Sequence, residues 1–314
     1  MQPERQGFAD MIDIAREVVK QAPEIVVHIA APGSTADDVE GWKWRLPTLT
    51  VSLGSLGKFM PRRGPILQNK AITKLDQYHG FSARGVSTPH TERFEFKRRY
   101  REVDFGRYVV LKPLPLTLTS TSQKLLLWDT SRLHRLSRDM LAPDHFLLKA
   151  PAIVQRFIDT GNLPEYYRVL TLLGEPVLWM RVKSAVEQID LANLGTQDTN
   201  EAVVDPRSTY GSTERGFSEL LEFQVPKEIT DFAKAVYPSF PNTPLQACDI
   251  VREAATRELF ILEINAGGNT WDFSSRRVAA SREMLGGREK LISLYSPWPK
   301  AATALIKKTK ELAC

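Results

Sequence analysis

The chain has 314 residues, 42% of them hydrophobic and 25% charged, a balance that excludes a disordered or fibrous protein. Its formal net charge of +5 suits anionic ligands such as nucleotides and is too small to argue by itself for nucleic acid. Two cysteines, Cys248 and Cys314, fit a reducing compartment. With no apolar run of membrane-spanning length and no signal-peptide pattern, the expectation is a cytoplasmic protein that does not insert into membranes.

Residues 8–21 place Phe8, Met11, Ile12, Ala15, Val18 and Val19 at the spacing of an amphipathic helix. Residues 25–30 and 49–53 read as buried strands, so a small α/β layer is expected first. His28 in the former has no second histidine at metal spacing and reads as a core residue. Asn69 and Lys70 open a helical run through Tyr78, and residues 96–101 form the densest basic patch, which reads as a solvated face. Tyr108 to Pro113 is a strand ending in Lys112, an unusual place for a charge. Residues 131–140 read as a capped helix, 146–158 as one long strand, and 166–173 with 177–182 as a hairpin across Gly174-Glu175-Pro176. Residues 188–216 read as a long loop, a length that in a compact domain is usually functional. Helices are expected at 227–236, 274–284 and 298–312.

The most informative stretch is Leu259 to Trp271. A short apolar strand ends in Glu263 and Asn265, two positions apart and therefore on one face. Gly267 and Gly268 follow. Upstream, residues 245–251 form a partner strand, and an antiparallel hairpin brings Asp249 beside Glu263 and Asn265. Carboxylate and amide oxygens are the hard donors that Mg²⁺ takes. On this local pattern alone, a metal site and a hairpin with solvated acids both stand.

Taken together, these motifs resemble the ATP-grasp superfamily of carboxylate ligases, the group that includes D-alanine–D-alanine ligase and glutathione synthetase, over roughly residues 69–271. Lys70, with Gly85-Val86-Ser87-Thr88-Pro89 after it, resembles the family's lysine-bearing helix and the turn beyond. Lys112 resembles the strand lysine that reaches the nucleotide phosphates. Gln155, Arg156, Phe157 and Ile158 resemble the linking segment whose backbone meets adenine, and Glu165 the acid that holds the ribose. Asp249, Glu263 and Asn265 match the metal positions.

The resemblance implies an α+β fold with two lobes clamping ATP. The boundaries it implies are a small N-terminal α/β domain over residues 1–68, a central lobe over 69–148 and a C-terminal lobe over 149–314. It implies a ligase using ATP and Mg²⁺ (or Mn²⁺) to activate a carboxylate as an acyl phosphate, which an amine or thiol then attacks. Arg181 is the residue expected to steady the acyl phosphate, with Arg168 a further catalytic candidate, Gly267, Gly268 and Asn269 near the reacting carboxylate, and residues 205–216 closing over the acceptor. Partners are small molecules, not nucleic acid, with a homodimer as the default assembly. A small-molecule kinase of the same fold and a non-catalytic nucleotide-binding protein are the alternatives. Two departures stand out: the loop after Lys112 lacks glycines, and Ala247 stands where many such ligases carry an arginine, leaving Arg168, Arg181 or Arg276 to supply that charge.

Overall fold

The structure is a computed structural model that describes residues 5–30, 33–54, 56–114, 125–141, 143, 145–184, 191, 202–204, 219–267 and 270–314. Helix α1 (Arg5–Gln21) forms where the spacing placed a helix and buries Ile14 and Val18. Of the stripe read from the sequence Val18 is buried, whereas Val19 is 50% exposed and Ile14, outside that stripe, takes an inward place. Residues 25–30, expected as a strand, form no regular element, and Val26 is largely exposed. The physical reason is the missing neighbour: strand β1 (Thr50–Ser52) pairs in parallel with β2 (Ile66–Gln68) and, among the described residues, takes no third strand. Helix α2 (Lys74–Ala83) starts later than residue 69, because Thr73 caps it. The Thr73 Oγ1 accepts from the Asp76 amide at 3.2 Å and donates to the Asp76 carboxylate at 2.6 Å. Asn69 lies outside the helix and is buried, its amide bonded both ways to the backbone of Leu245.

The next segment builds an antiparallel sheet. Its strands are β3 (Thr91–Arg93), β4 (Tyr108–Pro113) and β5 (Leu125–Asp129), with the short α3 (Glu102–Phe105) between the first two. The expected long strand over 146–158 is instead a single turn, α4 (Phe146–Lys149), followed by β6 (Ala152–Arg156). The His145 ring caps that turn by accepting from the Leu147 amide, and Pro151 then restarts the chain as a strand. β6 lies between β3 and β4, so residues just past 148 belong to this sheet. Residues 130–135 and 138–140 are 3₁₀ turns, not one α-helix.

A second antiparallel sheet follows. β7 (Glu165–Leu172) and β8 (Glu175–Ser184) close through Leu173 and Gly174, both at positive φ (53° and 86°), the tight turn that matches strand twist. β9 (Ala202–Val204), inside the stretch expected as a loop, pairs with β5 at the edge of the first sheet. β10 (Glu219–Glu222), α5 (Lys227–Val236), β11 (Leu245–Arg252) and β12 (Leu259–Ala266) complete the second sheet in the order β10-β8-β7-β11-β12. The architecture is thus α+β with two antiparallel sheets, as the motif order implied.

Alternation along β11 separates two cores. Leu245, Ala247 and Val251 face the cluster shared with α1, α7 (Gly287–Tyr295) and α8 (Pro297–Leu312), while Cys248 and Ile250 face α5 and Phe81 of α2. The helix expected at 274–284 is a 3₁₀ turn at Arg276–Val278 leading into α6 (Ala279–Met284). Among the described residues, no helix is long and apolar enough to cross a membrane.

Candidate active site

β11 is the strand that organises the site, because it has a neighbour on each side. Asp249 stands opposite Arg168 of β7 and opposite Glu263 of β12. A bulge follows at once: the register shifts between Asp249 and Ile250, so Leu262 has no partner of its own. Leu262 packs with Phe260 in one core and Ile261 and Ile264 in the other, and the extra residue turns Glu263 onto the face of Asp249.

The polar groups on that face interlock. Arg168 donates from Nε to Asp249 Oδ1 at 2.8 Å and from Nη2 to Oδ2 at 3.0 Å, a two-point grip. Asn265 Nδ2 donates to the same carboxylate at 2.9 Å. Lys74, at the start of α2, donates to Glu263 Oε2 at 2.6 Å. From the first sheet, Lys112 Nζ donates to Gln155 Oε1 at 2.6 Å, and Gln155 Nε2 donates to Thr91 Oγ1 at 2.9 Å.

Electrostatics tie these contacts into one cluster. Burial alone would raise the Glu263 carboxyl, but Lys74 first, then Lys112 and Arg168, bring it down to about 2. Asp249 is pushed up by burial despite Arg168, with the Glu263 charge adding to the rise. Lys112 falls to about 8 because it is buried and because Lys74 lies near, against the pull of Glu263 and Asp249. Two lysines and an arginine therefore act on two acids midway along one hairpin.

Other residues singled out in the sequence are placed differently. Lys70 is exposed in the segment before α2, and Lys74 is the lysine that reaches the acids. Its signal was present in the sequence, since Thr73 with Asp76 marks the helix start one residue before Lys74. Arg156 pairs with Glu253 at 2.7 Å and covers the Phe260 ring. Phe157 is buried with Val110 and Leu127, and Gln155 and Val110 are cross-strand partners on the face that also carries Lys112. Ile158 is buried in the large core.

Glu165 and Arg181 form an ion pair, and Arg181 also reaches Glu222 at 3.0 Å. Arg181 stands opposite Tyr167, whose ring belongs to the α5-side core, so both lie on the face of β7 and β8 away from Arg168. Strand alternation thus turns Arg181 away from Asp249. Ala247 faces the apolar core, and Arg168 brings positive charge to the first acid from across the sheet. Gly268, Asn269, residues 115–124 and residues 205–216 lie outside the described residues.

Among the described residues, no group of three or more His, Cys, Asp and Glu side chains gathers. The donor set that does gather is mixed: two carboxylates and the amide of Asn265. All are hard oxygen donors, and the Lys74 ammonium already rests on Glu263 as a positive charge. Asp249, Glu263 and Asn265 thus fit a divalent cation of the Mg²⁺ type.

No protein-family model matches the chain, and no curated protein matches it. Among solved structures it is similar to D-alanine–D-alanine ligase from Bacillus anthracis at 14% identity and a TM-score of 0.43, covering 76% of this chain and 69% of the other. It is similar to the D-cycloserine synthetase DcsG at 12% identity and a TM-score of 0.44, covering 76% and 70%. It is also similar to the ATP-grasp ligase PsnB, solved with a phosphomimetic variant of its minimal precursor, Mg and ADP, at 16% identity and a TM-score of 0.41, covering 76% and 58%.

Proposed function

We propose that the chain is an ATP- and Mg²⁺-dependent ligase that activates a small-molecule carboxylate and joins it to an amine. The observation that carries this reading is the convergence of Lys74, Lys112 and Arg168, from three separate elements, on Asp249, Glu263 and Asn265. In the form described, Lys74 is held by Glu263 and Lys112 by Gln155, partners that can release both ammonium groups to phosphate oxygens. Beside Lys112, on the same face, Val110, Leu127 and Phe157 offer an apolar surface suited to the flat face of a nucleobase.

Phosphoryl transfer needs position and charge more than a nucleophilic side chain, and this cluster supplies both. A divalent ion held by Asp249, Glu263 and Asn265 would add positive charge at the phosphates. The reaction balances without an oxidant. A carboxylate oxygen bonds to the γ-phosphorus as the β–γ bridge breaks and ADP leaves. The amine nitrogen then bonds to the carbonyl carbon, phosphate leaves, and the nitrogen gives up a proton. Arg168, gripping Asp249 from the neighbouring strand, fixes the acid and adds charge in place of the arginine that Ala247 lacks.

A calorimetric titration with MgATP tests the reading. The wild type is expected to bind, with affinity at least tenfold weaker for Lys112→Met and for Glu263→Gln. Equal affinity in all three proteins would overturn it.

A further inference from the structure

The hydrogen bond that holds Lys112 continues past Gln155 to Thr91, on the edge strand of the first sheet. Gln155 of β6 stands opposite Thr91 of β3 on one side and opposite Val110 of β4 on the other. Lys112, two residues beyond Val110, shares that face. The side chains follow this register. Lys112 Nζ donates to Gln155 Oε1 at 2.6 Å, Gln155 Nε2 donates to Thr91 Oγ1 at 2.9 Å, and Thr91 Oγ1 donates to the Pro89 carbonyl at 2.8 Å. Gln155 is 6% exposed and Thr91 1%.

The chain of bonds has one direction. An ammonium can only donate and a backbone carbonyl can only accept, so a single arrangement of amide and hydroxyl satisfies all three contacts between Lys112 and Pro89. It turns the Gln155 oxygen toward Lys112. The reversed amide would set its NH₂ against the ammonium and draw the Thr91 proton away from Pro89. A purely structural pair would be served as well by apolar side chains of the same shape. This pair ends on a lysine instead, and among the described residues no other side chain accepts a hydrogen bond from Lys112. The ammonium has three donors, so two can turn to phosphate oxygens while the third stays on Gln155. Burial and Lys74 already lower Lys112 to about 8, and an oxygen acceptor favours its charged form.

We propose that Thr91 is a positioning residue for the nucleotide: its hydroxyl fixes the Gln155 amide with the oxygen toward Lys112 and so keeps the ammonium aimed at the phosphates. The inference rests on the proposed MgATP site for what Lys112 binds. The hold on Lys112 is a property of the nucleotide-free protein and is measured without nucleotide.

The test uses the full-length protein as wild type, Thr91→Val, Thr91→Ser, Gln155→Met and the double variant of Thr91→Val with Gln155→Met. Calorimetry gives the MgATP affinity. In nucleotide-free protein at pH 7, mass spectrometry gives the rate at which trace acetic anhydride acetylates Lys112, with Lys227, 84% exposed on α5, as the internal reference. Thr91→Val is expected to speed Lys112 labelling and to weaken MgATP binding, each about fivefold, the loss of one ordinary hydrogen bond. Thr91→Ser is expected to behave as the wild type. The double variant is expected to be no worse than Gln155→Met, because the threonine acts only through the amide. Labelling or MgATP affinity in Thr91→Val equal to that of a nucleotide-binding wild type, a Thr91→Ser indistinguishable from Thr91→Val, or additive losses in the double variant would each overturn the proposal. Faster Lys112 labelling in Thr91→Val, in a protein whose wild type does not bind MgATP, would support the hold on Lys112 and remove the ligase reading instead.

Discussion

Replacing Arg168 by Met strands Asp249, and the structure sets the size of the effect. The two side chains are 21% and 11% exposed and meet through two hydrogen bonds at 2.8 and 3.0 Å. Removing one partner of a buried ion pair costs about 3–5 kcal/mol, chiefly because the other charge is left buried. Here Asn265 still donates to Asp249, and burial already raises the Asp249 carboxyl, so the stranded group can take a proton. The expected cost is therefore at the lower end, about 3 kcal/mol, or a fall in Tm of about 6 °C for a chain this long. Adding Asp249→Asn removes the stranded acid, and the double variant should recover about 2 kcal/mol of that loss. Urea unfolding of the four proteins at pH 7 measures the coupling. Additive costs, with no recovery in the double variant, would refute the view that these residues act as one buried pair.

Other expectations come from the same geometry. Lys112, lowered to about 8 by burial and by Lys74, is charged below that pH and loses its proton above it in the free protein. MgATP affinity should therefore hold up to about pH 8 and then fall, by at most about tenfold per pH unit, a decline that Lys112→Met should flatten in a pH series of titrations. Gly174 at φ 86° leaves no room for a Cβ, which would sit 2.8 Å from the Tyr237 ring, so Gly174→Ala should cost on the order of 1–3 kcal/mol in urea unfolding. Asp10 is fully buried, accepts from Trp271 Nε1 at 2.9 Å and pairs with Arg288. Asp10→Ala should cost about 3 kcal/mol and shift the Trp271 fluorescence, whereas Asp13→Ala, which removes only a 34% exposed carboxylate paired with Arg16 and 3.9 Å from Arg288, should cost well under 1 kcal/mol.

The hairpin of β11 and β12 was legible because its signals agree: apolar runs of strand length, a polar turn, and acids at alternate positions. The hairpin of β7 and β8 and helix α5 were legible for the same reason. The bulge at Leu262 was not, since an extra residue leaves the hydrophobic pattern nearly unchanged while reversing the face of the residues beyond it. The side of the sheet taken by Arg181 depended on register across the Leu173–Gly174 turn, which spacing alone does not fix. Lys70 was chosen over Lys74 because periodicity located the helix without its start, and the Thr73 cap carried that information. Residues 25–30 have strand composition but no strand to pair with, and pairing is a tertiary fact.

The central claim is tested most directly by ADP release from MgATP across a panel of carboxylates paired with amines, wild type beside Glu263→Ala. The account predicts ADP that appears only when both substrates are present, with a product whose mass is their sum less one water, and loss of both signals in the variant. ADP release that needs a single acceptor and yields a phosphorylated product without a new amide, or a wild type that does not bind MgATP, would contradict it.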